Sequence, residues 1–264
     1  MEAKVQALSP QKQRARFREG LDLYVNSTSG LCPGYEQANL VILPKRYAFD
    51  FFLFAHRNPK ACPILDVLEA GEVEPKIAKG ADIRSDLPKY RLYEAGILVE
   101  EVNNLTPYWQ KDFVTFLIGC SLTFEKALLD KGIPMLHQQA NQAVAMYNTS
   151  IQTTPAGVFS GPVVVSMRPI RNDCLMTAVD TTARFTNSHG SPLHIGDPEA
   201  IGIPDLTNPD YGAYTPYDPD VYTPVFWACG VTPQAVAAAS KPAQMITHVP
   251  GCMFISDRRA MPEV

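Results

Sequence analysis

The amino-acid sequence predicts an α/β protein with mixed sheets flanked by helices and with an internal duplication. Short apolar runs that end at proline or a small residue alternate with amphipathic segments, which is typical of α/β architecture. A chain of 264 residues can bury a sizeable core, as one large domain or two modest ones. One pattern, an apolar run followed by cysteine and a capped helix, occurs twice: FLIGCSLTFE at 116–125 and FWACGVTPQ at 226–234.

Residues 1–33 are predicted to form an N-terminal helix and a loop. The pair Ser9-Pro10 has the residue types of an N-cap and a first helical position. An apolar face follows at helical spacing, at Phe17, Leu21, Tyr24 and Val25.

Residues 34–150 are predicted to form a first α/β subdomain. Residues 38–44 and 112–120 are apolar enough to be buried strands. Residues 48–56 are apolar enough to be a buried helix, and their length alone does not exclude a strand. A second helix is expected from about Thr123 to Asp130, and 82–102 mixes loop and strands.

Residues 151–264 are predicted to form a second subdomain that makes one compact unit with the first. A buried strand at 158–169 is closed by proline, and 183–198 is irregular and polar. The Asp/Tyr-rich segment 209–222 is expected to be a surface loop or a lid. The second strand–Cys–helix unit and 245–257 complete the chain.

The two repeated patterns align at a fixed spacing. Cys120 and Cys229 are 109 positions apart (229 − 120), and at this offset Thr123 aligns with Thr232. Further pairs follow in the same order with drifting offsets, which favours a duplication. The alternative is that buried strands feeding capped helices look alike in any α/β protein.

Composition excludes several classes of function. The net charge of −4 and the pI of about 5.7 give no basic surface for nucleic acid or an anionic membrane. No apolar run approaches the ~20 residues of a membrane-spanning helix. Six scattered cysteines without a CxxC pair are expected to be free thiols, which predicts a cytoplasmic protein. The absence of Walker A, GxGxxG and GxSxG motifs disfavours nucleotide chemistry and serine hydrolysis.

The second corner, around Cys229, is a candidate catalytic site. A helix start presents free N–H groups and partial positive charge, which suits a carboxylate or an oxyanion. A thiol just before that start can have a depressed pKa and act as a nucleophile, or it can be an inert side chain in a tight bend. The same alternatives hold for Cys120. The Thr232 hydroxyl is expected to be the N-cap acceptor, and Glu125 and Gln234 are interpreted as capping groups.

Two further groups carry candidate chemistry. Arg168 ends an apolar strand and could hold an acidic substrate, together with Ser166, or could pair with a protein carboxylate. His189, His194 and Asp197 lie within nine residues and could transfer protons near neutral pH. Metal binding and structural hydrogen bonding are the alternatives for these three residues.

Seven blocks together resemble the D-glutamate cyclase family over about residues 14–257. The blocks, in chain order, are PGYEQANLVILP, RNPKACP, DIRSDLPKYRLY, FLIGCSLTFEKAL, GPVVVSMRP, HGSPLHIGDP and VFWACGVTPQ. The resemblance implies two related, intertwined α/β subdomains. It also implies a hydro-lyase, a lyase of carbon–oxygen bonds, that closes D-glutamate to 5-oxo-D-proline with loss of water.

Chemistry suggests roles for these residues in such a reaction. We expect Arg168 to hold the α-carboxylate, and Cys229, Gly230 and Thr232 to line the oxyanion site. His189 or His194, oriented by Asp197, would move the protons, and Cys120, Ser166 and Gln234 complete the substrate-binding set. A variant in which Cys229 forms a thioester is less attractive, because acylation by a free carboxylate is uphill.

No cofactor is required by this chemistry, and a homodimer or higher homo-oligomer is expected for an enzyme of this size. Two alternatives stay open. One is another carbon–oxygen lyase or lactam-processing enzyme, with a metal on His189, His194 and Asp197. The other is a non-catalytic protein that binds a small acid.

Overall fold

The structure, a computed structural model, describes residues 8–23 and 27–262. The strands of this part of the chain are β1 (Tyr35–Pro44), β2 (Ile64–Leu68), β3 (Tyr90–Glu94), β4 (Ile97–Val102), β5 (Phe113–Gly119), β6 (Ala145–Gln152), β7 (Pro162–Arg171), β8 (His194–Ile195), β9 (Tyr222–Ala228), β10 (Gln244–His248) and β11 (Phe254–Arg259). The helices are α1 (Pro10–Arg18), α2 (Lys45–Arg57), α3 (Glu125–Asp130), α4 (Leu136–Gln139), α5 (Leu175–Ala183) and α6 (Thr232–Ser240). The α/β class with helices flanking the sheets is confirmed.

Two sheets organise the fold, and the strand pairs recorded in them are antiparallel. The seven-stranded sheet has the order β2-β5-β1-β10-β3-β4, and β11 also pairs with β1. The four-stranded sheet has the order β6-β7-β9-β8. The sheets are therefore antiparallel where the sequence suggested mixed sheets, because neighbouring strands here come from hairpins and exchanged segments rather than from βαβ crossovers.

Each predicted half contributes strands to the other half's sheet. Strand β6 pairs with β7, whereas β10 and β11 from the chain's end pair with β1. The order β2-β5-β1-β11 in one sheet therefore matches β8-β9-β7-β6 in the other. A duplication with exchanged final strands predicts this match, and the duplication itself stays a prediction. The predicted boundary at 150/151 falls inside β6, and the division into subdomains is likewise still a prediction.

The main core lies between the two sheets. Val41 of β1, Phe116 of β5, and Val165 and Phe226 of the second sheet are at most 1% exposed and belong to one cluster. Helix α2 packs into this cluster through Phe51 and Phe54, but its outer face exposes Phe49 (74%) and Phe52 (47%). The helix prediction for 48–56 is confirmed, and it is buried on one face only.

Helix α1 begins as its sequence indicates. The Ser9 hydroxyl accepts from the Lys12 N–H, Pro10 is the first helical residue, and Phe17 is buried. The helix ends at Arg18, so Leu21 lies beyond it and is 45% exposed. Tyr24 and Val25, the other members of the predicted apolar face, lie outside the described residues.

Strand β7 extends past the proline that was expected to close it. Pro169 pairs with Pro224 of β9, and the strand continues to Arg171. Strand β6 pairs with β7 only as far as Met167. Beyond that point no described strand pairs with β7 on this side, so the missing N–H of a proline costs no ladder hydrogen bond.

None of the described helices is long and apolar enough to cross a membrane. The longest, α2, has 13 residues, well short of the ~20 that a bilayer requires.

Candidate functional site

The two strand-to-helix corners meet in one buried cluster. Cys120 follows β5, Cys229 follows β9, and each is 6% exposed. Both belong to the same apolar cluster, together with Leu122 and Val231. The thiols are near enough to interact electrostatically. Residues 109 positions apart in the chain are therefore neighbours in the fold.

Each thiol lies over the first turn of its own helix. The Leu122 N–H donates to Cys120 Sγ at 3.5 Å, so Cys120 is the N-cap of the 3₁₀ turn that leads into α3. The Val231 N–H interacts in the same way with the Cys229 thiol, just before α6. Leu122 and Val231 are again 109 positions apart (231 − 122).

The Thr232 hydroxyl does not cap α6, which corrects the sequence-based expectation. Its Oγ1 accepts from the Val164 N–H at 3.0 Å and donates to the Cys229 carbonyl at 2.7 Å. Thr123 contacts Gln37 of β1 in the same manner, accepting from its N–H at 3.0 Å. Both threonines therefore fasten a helix to its sheet, and their hydroxyls are occupied.

Burial keeps both corner thiols protonated. Burial raises the pKa of Cys229 to about 11, although the Val231 N–H and the Arg168 charge oppose this rise. Burial also raises the pKa of Cys120 well above its ordinary value. The helix starts therefore do not depress these pKa values, because desolvation of the thiolate outweighs the N–H groups.

Asn39 of β1 packs directly against the second corner. Its Nδ2 donates to the Gly119 carbonyl at 2.7 Å, and its buried Oδ1 has no hydrogen-bond partner within residues 8–23 and 27–262. A Cβ at Gly230 would collide with this amide, so a larger residue there would require the Asn39 side chain to move. Sequence reasoning missed Asn39, although a single amide inside the apolar run ANLVILP was a usable signal.

His189 is the proton-transfer candidate that the fold brings to the corners. The residue is 2% exposed, has left-handed backbone (φ 78), and its Nδ1 lies 2.8 Å from the Lys60 carbonyl. A carbonyl can only accept, so Nδ1 carries the proton; the buried Nε2 has no hydrogen-bond partner among the described residues, and the Gly119 backbone lies near the ring. Burial lowers the pKa of His189 to about 4, and the nearby Arg168 charge adds to this effect.

Arg168 is sealed inside the protein and paired with Glu125. The side chains are 1% and 2% exposed. Nε donates to Glu125 at 2.9 Å, Nη2 to Glu125 and to Ser121 (3.0 Å), and Nη1 to Ser166 at 3.1 Å. The guanidinium also lies over the rings of Phe124 (5.3 Å) and Trp227 (5.6 Å). Of the two roles open for Arg168, the structure shows pairing with a protein carboxylate.

Glu125 and Gln234 serve tertiary contacts and cap no helix. Glu125 also contacts His137 Nε2 at 3.1 Å and accepts from the Ser29 hydroxyl at 2.6 Å. Gln234 Nε2 donates to the His248 carbonyl at 2.9 Å. The helix-start positions suggested capping, but both side chains point away from their own first turns.

His194 and Asp197 lie on the exposed edge of the second sheet. His194 Nε2 is 2.6 Å from the Asp197 backbone carbonyl, and its ring packs on Phe226 at 5.8 Å. The Asp197 carboxylate accepts from the Glu199 N–H at 3.0 Å. Asp197 therefore contacts His194 through its backbone and contributes no carboxylate to a relay with it.

The donors suggested for a metal do not assemble. Among residues 8–23 and 27–262, no group of three or more His, Cys, Asp or Glu side chains is placed to hold an ion. His189, His194 and Asp197 therefore form no common metal site in the described part of the chain.

The fold and the paired corners define an α/β protein whose buried polar groups converge where two strands enter two helices. A family model described as D-glutamate cyclase matches residues 114–257. The chain belongs to the D-glutamate cyclase family.

Bacterial relatives match nearly the whole chain. Proteins named "Putative hydro-lyase" from Thermoanaerobacter sp. (strain X514) and Oceanobacillus iheyensis are 56% and 55% identical to it. The matches cover 95% of this chain and 94% and 98% of the respective relatives. A relative of the same name from Corynebacterium urealyticum is 53% identical, over 98% of this chain and 97% of its own.

A crystal structure of a nitrogen repressor-like protein from Methanococcus jannaschii aligns with 97% of this chain and 100% of its own. The TM-score is 0.38 and the identity 8%. A similarity this low supports no argument about fold or function.

Proposed function

We propose that this protein is a hydro-lyase that closes D-glutamate to 5-oxo-D-proline with loss of water. The amine nitrogen bonds to the carbon of the distal carboxylate, a carbon–oxygen bond of that carboxylate breaks, and two protons leave nitrogen with the departing oxygen as water. The observation that carries the proposal is the convergence of His189 and the two corners in a chain of the D-glutamate cyclase family.

His189 is proposed to move the protons. Its Nε2 is the unprotonated nitrogen, and at a pKa of about 4 the ring is neutral at pH 7. A neutral imidazole can accept a proton from the amine and return it to the departing oxygen. The charge of a bound carboxylate would raise the pKa of His189 and strengthen it as a base. We prefer His189 to His194 because His189 is buried near Arg168 and the corners, whereas His194 lies on the edge strand β8.

The second corner is proposed to face the reacting carboxylate. Cys229 and Gly230 form the turn before α6, whose N-terminal end favours negative charge. The Thr232 hydroxyl supports this turn from behind, since it is bonded to the Cys229 carbonyl. Cys229 acts as a protonated thiol in this scheme, which needs no covalent intermediate.

Arg168 is proposed to act through the corner and not by direct grip on the substrate. Four hydrogen bonds already engage its guanidinium. Arg168 would therefore have to release Glu125 before it could bind a substrate carboxylate through two N–H groups. Its charge lowers the pKa of both Cys229 and His189, so it contributes positive potential where the oxyanion develops. In this role Arg168 and its partners Ser166 and Ser121 position the corner.

The reaction can be followed by NMR with the purified protein and D- or L-glutamate. We expect ring closure with D-glutamate, and a fall in kcat of roughly 10²- to 10⁴-fold for His189→Gln. His56→Gln is the matched control, because His56 is exposed on α2, and it should leave the rate unchanged.

Three results would overturn parts of the proposal. Binding of D-glutamate without turnover would support the non-catalytic alternative. Activity lost on chelation and restored by a divalent ion would support a metal-dependent lyase. An unchanged rate in His189→Gln would remove His189 from the mechanism.

A further inference from the structure

A cavity of about 470 Å³ opens beside the second corner. Its lining includes Arg91, Gln142, Asp210, Tyr211 and Val249. Its volume is within the roughly 300–1,000 Å³ of small-molecule sites. We call it the Arg91 cavity.

The cavity borders the corner cluster through Tyr211. Tyr211 packs on the cluster that contains Cys120 and Cys229. Burial raises the pKa of Tyr211 to about 12, and the neighbouring groups that affect it include Arg91 and Cys229. Tyr211 therefore belongs both to the cavity wall and to the contacts of the corner cluster, and its hydroxyl stays protonated.

Arg91 gives the cavity a partly exposed cation. The residue lies on β3, and its side chain is 20% exposed. Nε donates to Glu101 at 2.8 Å, and Nη1 lies 3.4 Å from Oε1 of Gln234, in the first turn of α6. Its Nη2 enters neither contact. Arg91 is thus tied to the helix of the second corner, and it is more accessible than Arg168.

Asp210 supplies an anion to the same cavity. Its carboxylate accepts from the Asn148 N–H at 2.8 Å and from Asn148 Nδ2 at 2.6 Å, which holds it in place. The adjoining chain is fixed as well, because Tyr211 and Met146 exchange backbone hydrogen bonds at 2.9 and 3.1 Å. The start of segment 209–222, which is predicted to be a surface loop or a lid, is therefore held in place by hydrogen bonds to β6.

We propose that the Arg91 cavity binds the substrate as an α-amino acid zwitterion, with a carboxylate on Arg91 and the ammonium on Asp210. A lining with one cation and one anion suits a molecule that carries both charges, and it suits a plain dicarboxylate less well. This inference rests on the proposed function for the identity of the amino acid, D-glutamate. It gives Arg91 the contact with a substrate carboxylate that the sequence suggested for Arg168.

Titration calorimetry with D-glutamate and with glutarate, which lacks the amine, tests both contacts. Arg91→Gln should weaken binding of both ligands roughly 10- to 100-fold, the effect of one charge-assisted pair. Asp210→Asn should weaken the binding of D-glutamate by about the same factor. The affinity for glutarate should stay the same or increase. Arg91→Lys should retain part of the affinity.

Two controls separate charge from structure. Arg46→Gln removes an exposed cation on α2 and should not change either affinity. Glu101→Gln removes the ion-pair partner of Arg91 but keeps the guanidinium, so binding should be retained. Melting temperatures near that of the unchanged protein would show that the Arg91 and Asp210 variants are folded.

The outcomes distinguish this inference from the proposed function. Unchanged affinity and KM in Arg91→Gln would overturn the inference even if the protein cyclises D-glutamate. Equal weakening of both ligands by Asp210→Asn would overturn the zwitterion assignment. Arg91-dependent binding of D-glutamate without turnover would overturn the proposed function and leave the inference standing.

Discussion

The buried pair of Arg168 and Glu125 should be the most sensitive charge interaction in the corner region. Glu125→Gln keeps the shape of the side chain and removes its charge, leaving the guanidinium without an anion at 1% exposure. Removal of one partner of a buried ion pair costs about 3–5 kcal/mol. Because the glutamine oxygen can still accept from Arg168, we expect the lower end, about 3 kcal/mol of unfolding free energy.

Urea unfolding measures this change, and a double-mutant cycle with Arg168→Met assigns it to the pair. The double variant should lose less than the two single variants together, by roughly 2 kcal/mol or more. Asp130→Asn is the matched control on the same helix, because its ion pair with Lys126 is exposed at 61% and 47%. That exposed pair should contribute less than about 1 kcal/mol.

The pair should also leave a signature in acid. Burial alone would raise the pKa of Glu125, but the charges of His137 and Arg168 outweigh it and hold the pKa well below its ordinary value. A carboxyl with a depressed folded pKa stabilises the protein above its unfolded pKa, and this contribution is lost as the pH falls below about 4.5. The unchanged protein should therefore lose more stability there than Glu125→Gln. A cost below 1 kcal/mol at pH 7, or additive single variants, would refute this reasoning.

Two other predictions concern protonation at the corners. Because burial lowers the pKa of His189 to about 4 from 6.5, the unfolded chain binds more protons between these values. The free energy of unfolding should therefore decrease by about 3 kcal/mol from pH 6.5 to pH 4. Urea unfolding at several pH values measures this decrease, which should be smaller in His189→Gln. Because Cys229 stays protonated, Cys229→Ala should keep turnover within about tenfold. A complete loss of turnover, with an acyl-enzyme mass in the unchanged protein, would instead establish a thioester.

Helices and strands could be predicted from the sequence where the residues that define them lie within one short segment. The apolar runs of β1, β5 and β9 and the Ser9-Pro10 start of α1 contain the periodicity and capping residues that define them. Local rules failed at Pro169, because whether a proline ends a strand depends on whether a neighbour needs its N–H. They failed again at Thr232, because its hydroxyl accepts a hydrogen bond from the backbone N–H of Val164 on β7 and does not cap its own helix.

The candidate site was predictable in part. The repeated strand–Cys–helix pattern identified both corners, and the polar block HGSPLHIGD contained His189. The protonation of the thiols was not predictable, since a helix start and a buried site shift a thiol pKa in opposite directions. Asn39 and Arg91 could be recognised as site residues only weakly. Asn39 is a polar residue within an apolar run, and Arg91 is a cation in a segment predicted to contain strands.

The sequence by itself determined the α/β class, the two corners and the family, because each depends on residues that are close together in the chain. Tertiary structure decided which polar groups pair, since the ion pair of Glu125 and Arg168 joins residues 43 positions apart and the hydrogen bond of Arg91 and Gln234 joins residues 143 apart. A buried charge must find a partner in space. The pairing of distant strands that brings such partners together is a property of the whole fold, which no single segment encodes.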